Sequence, residues 1–129
     1  MFEDLKTKFD ILDPPPYQIP SGKIELIKEK FPGIPDEYLA LLGEIGAGDL
    51  DIFNLYSGPI PAGNFFKERE EALEGIILIG DDFQGYKMGF DINEDFQLIE
   101  VDPRGKLKNH LERTFGELLL RKLRNRGWR

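Results

Sequence analysis

Apolar residues recur at intervals of three and four over the first 45 positions, and nearer to two from about residue 51. Phe2, Leu5, Phe9 and Leu12 fall at helical spacing and predict a short amphipathic helix over the first dozen residues. The run Asp13-Pro14-Pro15-Pro16 must end it, because proline removes a donor and clashes with a continuing helix. Residues 1–20 thus read as an N-terminal helix and a rigid proline linker; a ligand for a proline-reading module is the alternative use of those prolines. Ser21 is the expected N-cap of a second helix over about 22–31, with Ile24, Ile27 and Phe31 on one face. Phe31-Pro32-Gly33-Ile34-Pro35 interrupts it, and Pro35 suits the first position of a third helix. Tyr38, Leu39, Leu41, Leu42 and Ile45 give that helix a wide apolar face, and Gly46-Ala47-Gly48 stops it.

The period then changes. Residues 51–56 mix β-branched, aromatic and polar side chains as a strand does, and Ser57 to Gly63 is turn chemistry with two prolines. Asn64 is the expected cap of a short helix through Leu73. Three strands are predicted at 76–79, 86–91 and 96–101, joined by short polar links that favour antiparallel pairing between neighbours. Asp102-Pro103-Arg104-Gly105 is a further turn. Thr114-x-x-Glu117 has the form of a capping box, and Phe115, Leu118, Leu119 and Leu123 then line one helical face. The order predicts a single α+β domain over residues 1–129, an antiparallel strand meander with N-terminal helices and a C-terminal helix packed against the sheet.

A chain of 129 residues buries roughly two thirds of its unfolded surface, enough to stand without disulfides or a structural metal. It contains no cysteine, which excludes thiolate metal sites and a cysteine nucleophile and fits a reducing compartment. Met1-Phe2-Glu3-Asp4-Leu5-Lys6 carries acids in place of the apolar core of a secretory signal, and no apolar stretch approaches the ~20 residues that span a bilayer. The expected location is cytoplasmic, with no membrane contact. The net charge of −7 is uneven: residues 1–100 hold 21 acids and 8 bases, residues 101–129 hold 3 acids and 9 bases. An acidic body argues against direct binding of nucleic acid, which needs a basic face.

Catalytic constellations lack parts. His110 is the one histidine, so zinc-ligand and nucleophile–base arrangements have no second member; it reads as a surface or packing residue. Gly43 to Gly48 is glycine-rich but closes a helix instead of opening one, unlike a phosphate loop. Asp91-x-Asn93-x-Asp95 has the alternation of a calcium loop, but Phe96 stands where such a loop needs glycine, and a polar hairpin turn is the better reading. Asp81 and Asp82, with Asp91, would suit magnesium, yet Lys87 is the only base across residues 76–102 to neutralise a phosphate. The metal-dependent enzyme is therefore the weakest reading, and neither a catalytic residue, a metal nor a cofactor is expected.

Three stretches carry a resemblance: Ile34 to Gly48, Ile79-Gly80-Asp81-Asp82-Phe83-Gln84-Gly85, and Thr114-Phe115-Gly116-Glu117-Leu118-Leu119. Together, over about residues 21–124, the chain resembles the SUKH superfamily, which includes cell-wall assembly regulators of the Smi/Knr type. Pro35, Tyr38 and Leu42 match its proline-acid-aromatic helix; Gly80, Asp81 and Gly85 match its strand ending in glycine-acid, with Phe90-Asp91 after it; Thr114 and Phe115 match the opening of its last helix. Glu44-Ile45-Gly46-Ala47-Gly48 departs from the asparagine-glycine pair that many members carry at that turn. The resemblance implies a non-enzymatic, protein-binding domain. Bacterial members are typically immunity proteins that neutralise a cognate toxin domain, often a nuclease; an intracellular adaptor for a non-toxin protein is the alternative.

The residues themselves place negative charge in the middle of the chain: residues 44–102 hold 14 acids and 3 bases. The acids include Asp49, Asp51, Glu68, Glu70, Glu71, Asp81, Asp82, Asp91, Glu94 and Asp95, and several fall on predicted turns between strands and are expected to gather at one end of the sheet. Such a patch suits a basic toxin domain, speeding encounter and excluding wrong partners. Affinity would come from apolar anchors, for which Tyr56, Phe83 and Tyr86, with Gln84 beside them, are the candidates. Phe83 and Tyr86 are equally compatible with core positions at strand ends, and Trp128 with packing on the domain or a contact with another chain.

Overall fold

The third helix forms the centre of the helical layer because four of its nine residues, Tyr38, Leu39, Leu41 and Leu42, are buried, as is Ile45 just beyond it. The computed structural model describes residues 3–66, 73–111, 114–125 and 127 (backbone alone at 3–5 and 107–109). Helices α1 (Glu3–Phe9), α2 (Ser21–Lys30) and α3 (Asp36–Glu44) precede strands β1 (Gly48–Asp49), β2 (Asn54–Pro61), β3 (Ile76–Asp81), β4 (Lys87–Asp91), β5 (Gln97–Val101) and β6 (Leu107–His110). Helix α4 (Phe115–Asn125) follows. Each strand pairs antiparallel with its sequence neighbours, giving a sheet in the order β1-β2-β3-β4-β5-β6. The fold is α+β, a meander with a closing helix, as the element order predicts.

Alternation along the strands sorts the sheet into two faces. Leu55, Ile77, Ile79, Met88, Phe90 and Leu98 join the helices in the main core. Ile76, Leu78, Ile99 and Val101 belong to a second, smaller core with Ala62 and Leu73 from the β2–β3 connection. Burial on both faces explains why β3 reads as the unbroken apolar run Ile76-Ile77-Leu78-Ile79. Helix α3 packs against both α2 and α4, and Phe9 of α1 is fully buried in the main core.

Two local devices hold the layers in register. Gly46 stops α3 at φ 116°, its N–H donating to the Leu41 carbonyl at 2.9 Å, and a Cβ there would strike the Tyr17 backbone. Tyr17 can thus lie beside Ala47, exchanging two backbone hydrogen bonds of 2.8 Å. At the opening of α4, Thr114 Oγ1 accepts the Glu117 N–H at 3.2 Å, as the capping box requires, and Glu37 Oε1 of α3 accepts the Gly116 N–H at 2.6 Å.

Several boundaries differ from the sequence expectation. Ser21 is not the N-cap of α2: Pro20 holds that position with no side-chain cap, and Pro35 likewise precedes α3. The predicted strand at 51–56 begins at Asn54, and the residues read as a turn, 57–61, continue it. Pairing moves from Leu55↔Gly80 to Ile60↔Leu78, so the Ser57-Gly58-Pro59 stretch is accommodated as a bulge, where a proline needs no ladder partner. Asn64 ends a single 3-10 turn at 62–64, and most of the predicted helix beyond it, with Phe2 of the first helix, lies outside the described residues. Strand β6 has no counterpart in the sequence reading.

Gly80 marks a close approach in the sheet, since a Cβ there would overlap the Phe53 ring and the Asn54 carbonyl oxygen. Gly80→Ala is expected to lower stability by about 1–3 kcal/mol, the usual range for forced overpacking, read as a lower urea midpoint.

Candidate functional site

In a meander the connections alternate between the two ends of the sheet. The β1–β2, β3–β4 and β5–β6 loops share one end; the β2–β3 and β4–β5 connections share the other. Asp49, Asp51, Asp81, Asp82, Phe83, Gln84 and Tyr86 therefore gather at the first end, while Asp91, Glu94 and Asp95 lie at the second, about 13 Å away along the five residues of β4. The expectation that the acidic turns form one surface is corrected: successive turns of an antiparallel chain point opposite ways. Glu68, Glu70, Glu71, Arg126 and Trp128 lie outside the described residues.

At the first end four aspartates, Asp49, Asp81, Asp82 and Asp102, organise backbone. Asp81 Oδ1 accepts the Phe83 N–H at 2.9 Å, while Oδ2 accepts the Tyr56 hydroxyl at 2.9 Å and the Asn54 amide at 3.5 Å. Asp82 Oδ1 accepts N–H groups from Gln84 at 2.8 Å and Tyr86 at 3.1 Å. Asp102 does the same for Arg104 and Lys106, and Asp49 for Asp51. These are turns in which a short carboxylate stands in for a backbone acceptor. The acids that the sequence offers as surface charge are also the scaffold of their own loops.

That scaffold holds Phe83 in an outlying conformation. Its φ is 67°, a region costly for a bulky side chain, and its ring is 53% exposed. Phe83 is thus a surface residue, whereas Tyr86 is half-buried at the start of β4. Phe83, Gln84, Asp82, Asp51 and Ile52 line a groove of about 550 Å³ whose further wall is Lys122 and Asn125 of α4. The fold brings the basic end of α4 against the acidic loops, a juxtaposition with no signal in the linear charge pattern.

Tyr56 is no free anchor. It lies on the sheet face opposite the helices, stacked on Phe65 with ring centroids 5.6 Å apart, and its hydroxyl is committed to Asp81. Lys87 Nζ sits 4.6 Å from the Phe65 centroid and 3.4 Å from the Tyr56 oxygen. Burial first, then the hydrogen bond to Asp81 and the charge of that carboxylate, push the Tyr56 phenol above its ordinary range.

At the second end Asp91 is buried, with Oδ1 accepting the Asn93 N–H at 3.1 Å and Oδ2 3.3 Å from His110 Nε2. Glu94 and Asp95 are exposed beside it. His110 is placed by β6, the strand that sequence reading missed, so its partnership with Asp91 was invisible. Among the described residues no group of three or more histidines and acids is disposed to hold a metal ion, and Asp91 stands at the other end of the sheet from Asp81 and Asp82. Among the same residues no helix is long and apolar enough to cross a membrane. Comparison with protein-family models, curated proteins and solved structures gives no significant match.

Two outcomes are expected of this geometry. Phe83→Gly removes the cost of positive φ and is expected to stabilise the chain by roughly 1 kcal/mol, seen as a raised urea midpoint. A raised phenol pKa favours the folded state fully below about pH 10 and loses that advantage as pH rises past it, because the unfolded phenol ionises first. Tyr56→Phe should therefore show a shallower decline in stability above that pH by urea unfolding. The decline persists in part, since burial raises the Tyr38 phenol as well.

Proposed function

We propose that this chain is a non-catalytic, protein-binding domain of the SUKH kind, an immunity protein that neutralises a cognate toxin by covering it with the loop end of its sheet. The observation that carries the reading is Phe83, an exposed ring held at φ 67° by the hydrogen bonds of Asp81 and Asp82. An anchor fixed before encounter loses little freedom on binding, and a few such residues supply most of the affinity of an interface. Asp51 and Asp82 beside it suit a basic partner surface, such as the one a nuclease-type toxin turns to its substrate. Lys122 on the opposite wall makes the groove two-signed, which narrows the surfaces that fit it.

The resemblance draws physical support from the same residues. Gly80 admits Phe53, Asp81 and Asp82 shape the loop, and Thr114 caps the helix that brings Lys122 to the groove. Asp91, Glu94 and Asp95 form no part of this surface. The absence of cysteine suits the cytoplasm as its place of action.

Co-expression with a toxin encoded beside it is expected to protect the host and to yield a one-to-one complex. Phe83→Ala should weaken that complex by about 30-fold or more, in line with about 2 kcal/mol for a central anchor, measured by calorimetry. Asp51→Asn should chiefly slow association and reduce its salt dependence. Absence of both protection and complex refutes the reading, as does a complex that Phe83→Ala leaves intact; a complex through the same groove with a non-toxin protein favours the adaptor instead.

A further inference from the structure

Away from the Phe83 groove the surface holds other concavities. A cavity of about 370 Å³ lies between α3, β4, β5 and α4, with Tyr38, Phe90, Phe96, Leu98 and Phe115 in its walls. Its lining is largely apolar and carries no feature that would select an occupant. A more open groove of about 350 Å³ runs between α2 and β2. Helix α2 contributes Lys23, Leu26, Ile27 and Lys30 to it, and β2 contributes Ser57 to Ile60. It shares no residue with the Phe83 groove.

Three observations meet at the α2–β2 groove. Helix α2 is alone among the four helices in burying none of its residues, and Leu26 is 64% exposed. Lys23, Leu26, Ile27 and Lys30 stand at i, i+3, i+4 and i+7, so all four share one face of the helix, with Glu25 and Glu29 on the opposite side. The groove is thus lined by two cations and no acid, in a chain of net charge −7. Among the described residues neither ammonium has a carboxylate partner; Lys30 Nζ lies 5.6 Å from the Phe31 ring centroid. The far wall is a sheet edge, because β1 pairs with β2 only at Asn54 and Leu55. Pro59 and Pro61 deny an added strand two of its amide donors there.

We propose that this groove docks an amphipathic helix of a protein partner, with two acids bracketing an apolar pair in the order acid-x-x-apolar-apolar-x-x-acid. Such a helix repeats the spacing of the α2 face with the opposite charge. Seven residues of helix rise about 10.5 Å in both, so each carboxylate meets one lysine. The apolar pair covers Leu26, Ile27 and Ile60, as helices seat in grooves, and the two ion pairs fix its register. Nucleic acid and anionic membranes need a wider basic face than two lysines on an acidic chain. A second copy docking α2 on α2 would set lysine against lysine, and α4 would bring further bases in Arg121, Lys122 and Arg124. The groove is separate from the loop end, and its occupancy does not rest on toxin binding.

A peptide of about 18 residues carrying Glu-x-x-Leu-Leu-x-x-Glu, long enough to form a helix alone, tests this beside the same peptide with both glutamates replaced by lysine. Titrated against the chain at low salt and followed by NMR, the acidic peptide should give saturable shifts confined to α2 and Ser57 to Ile60. The basic peptide should bind about tenfold more weakly or worse, the scale of two ion pairs turned into repulsions. Combining Lys23→Glu with Lys30→Glu should reverse that preference. Leu26→Ala, a change at an exposed position, should weaken the acidic peptide about fivefold, while Phe83→Ala leaves it unchanged. The proposal is overturned if the acidic peptide gives no saturable shifts, if its shifts fall at Phe83, if the two peptides bind alike, or if the folded double variant keeps the native preference. A concentration-dependent dimer with shifts on α2 assigns the groove to a second copy and overturns it as well.

Discussion

The ring of Phe53 occupies the space that a side chain on residue 80 would need, and the loop end of the sheet is built around that exchange. Because Gly80 yields the space, Leu55 can pair with it and Asn54 with Asp81. The chain then turns tightly, the Leu50 N–H meeting the Phe53 carbonyl at 2.8 Å. On its other side the Phe53 ring meets Phe115, centroids 5.3 Å apart, which draws α4 toward the loops. From there Lys122 and Asn125 reach the groove that Asp51 and Phe83 line. Asp81, one residue after Gly80, uses the opposite face of the sheet to tie Tyr56 and the Phe83 N–H together. One missing Cβ thus places residues from three elements.

Strain is distributed with the same economy. Four described residues other than glycine have positive φ, and all lie in turns. Two are aspartates, a residue type whose short polar side chain makes the left-handed region tolerable. The other two, Phe83 and Phe96, have no such compensation, and each lines a different concavity. Strained aromatic residues at two openings are what one expects where local comfort has been yielded to keep a ring in place.

What the sequence discloses, and what it hides, follow from the range over which each cue acts. Helices α3 and α4 are legible because their apolar period, their glycine stop and the Thr114 cap are all local. Strands β3 to β5 are legible because alternation and short polar links are local too. Strand β6 offers only Leu107-Lys108-Asn109-His110, too few residues to show a period, and β2 hides its continuation behind Gly58 and Pro59. Charge misleads for a topological reason. Asp81 and Asp91 are near neighbours in sequence but a strand apart, whereas Lys122 is distant from Asp82 in sequence and lines the same groove. The Tyr38 hydroxyl is a further case: its helical position predicts burial, but only three dimensions reveal that no acceptor meets it.

The neighbour-only pairing of the sheet also shapes how the chain comes together. No strand has to wait for a distant partner, and apart from β2–β3, joined by residues 62–75, the hairpins close over short loops, where closure entropy is smallest. The long closure falls instead to the helices, where Glu37 meets the Gly116 N–H across 79 residues. Assembly of the meander is therefore expected to run ahead of the docking of α4 on α3. Since α4 supplies Lys122 to the Phe83 groove and Phe115 to the cavity, both concavities are completed in one late step. Those two concave surfaces are thus the last part of the molecule to take shape.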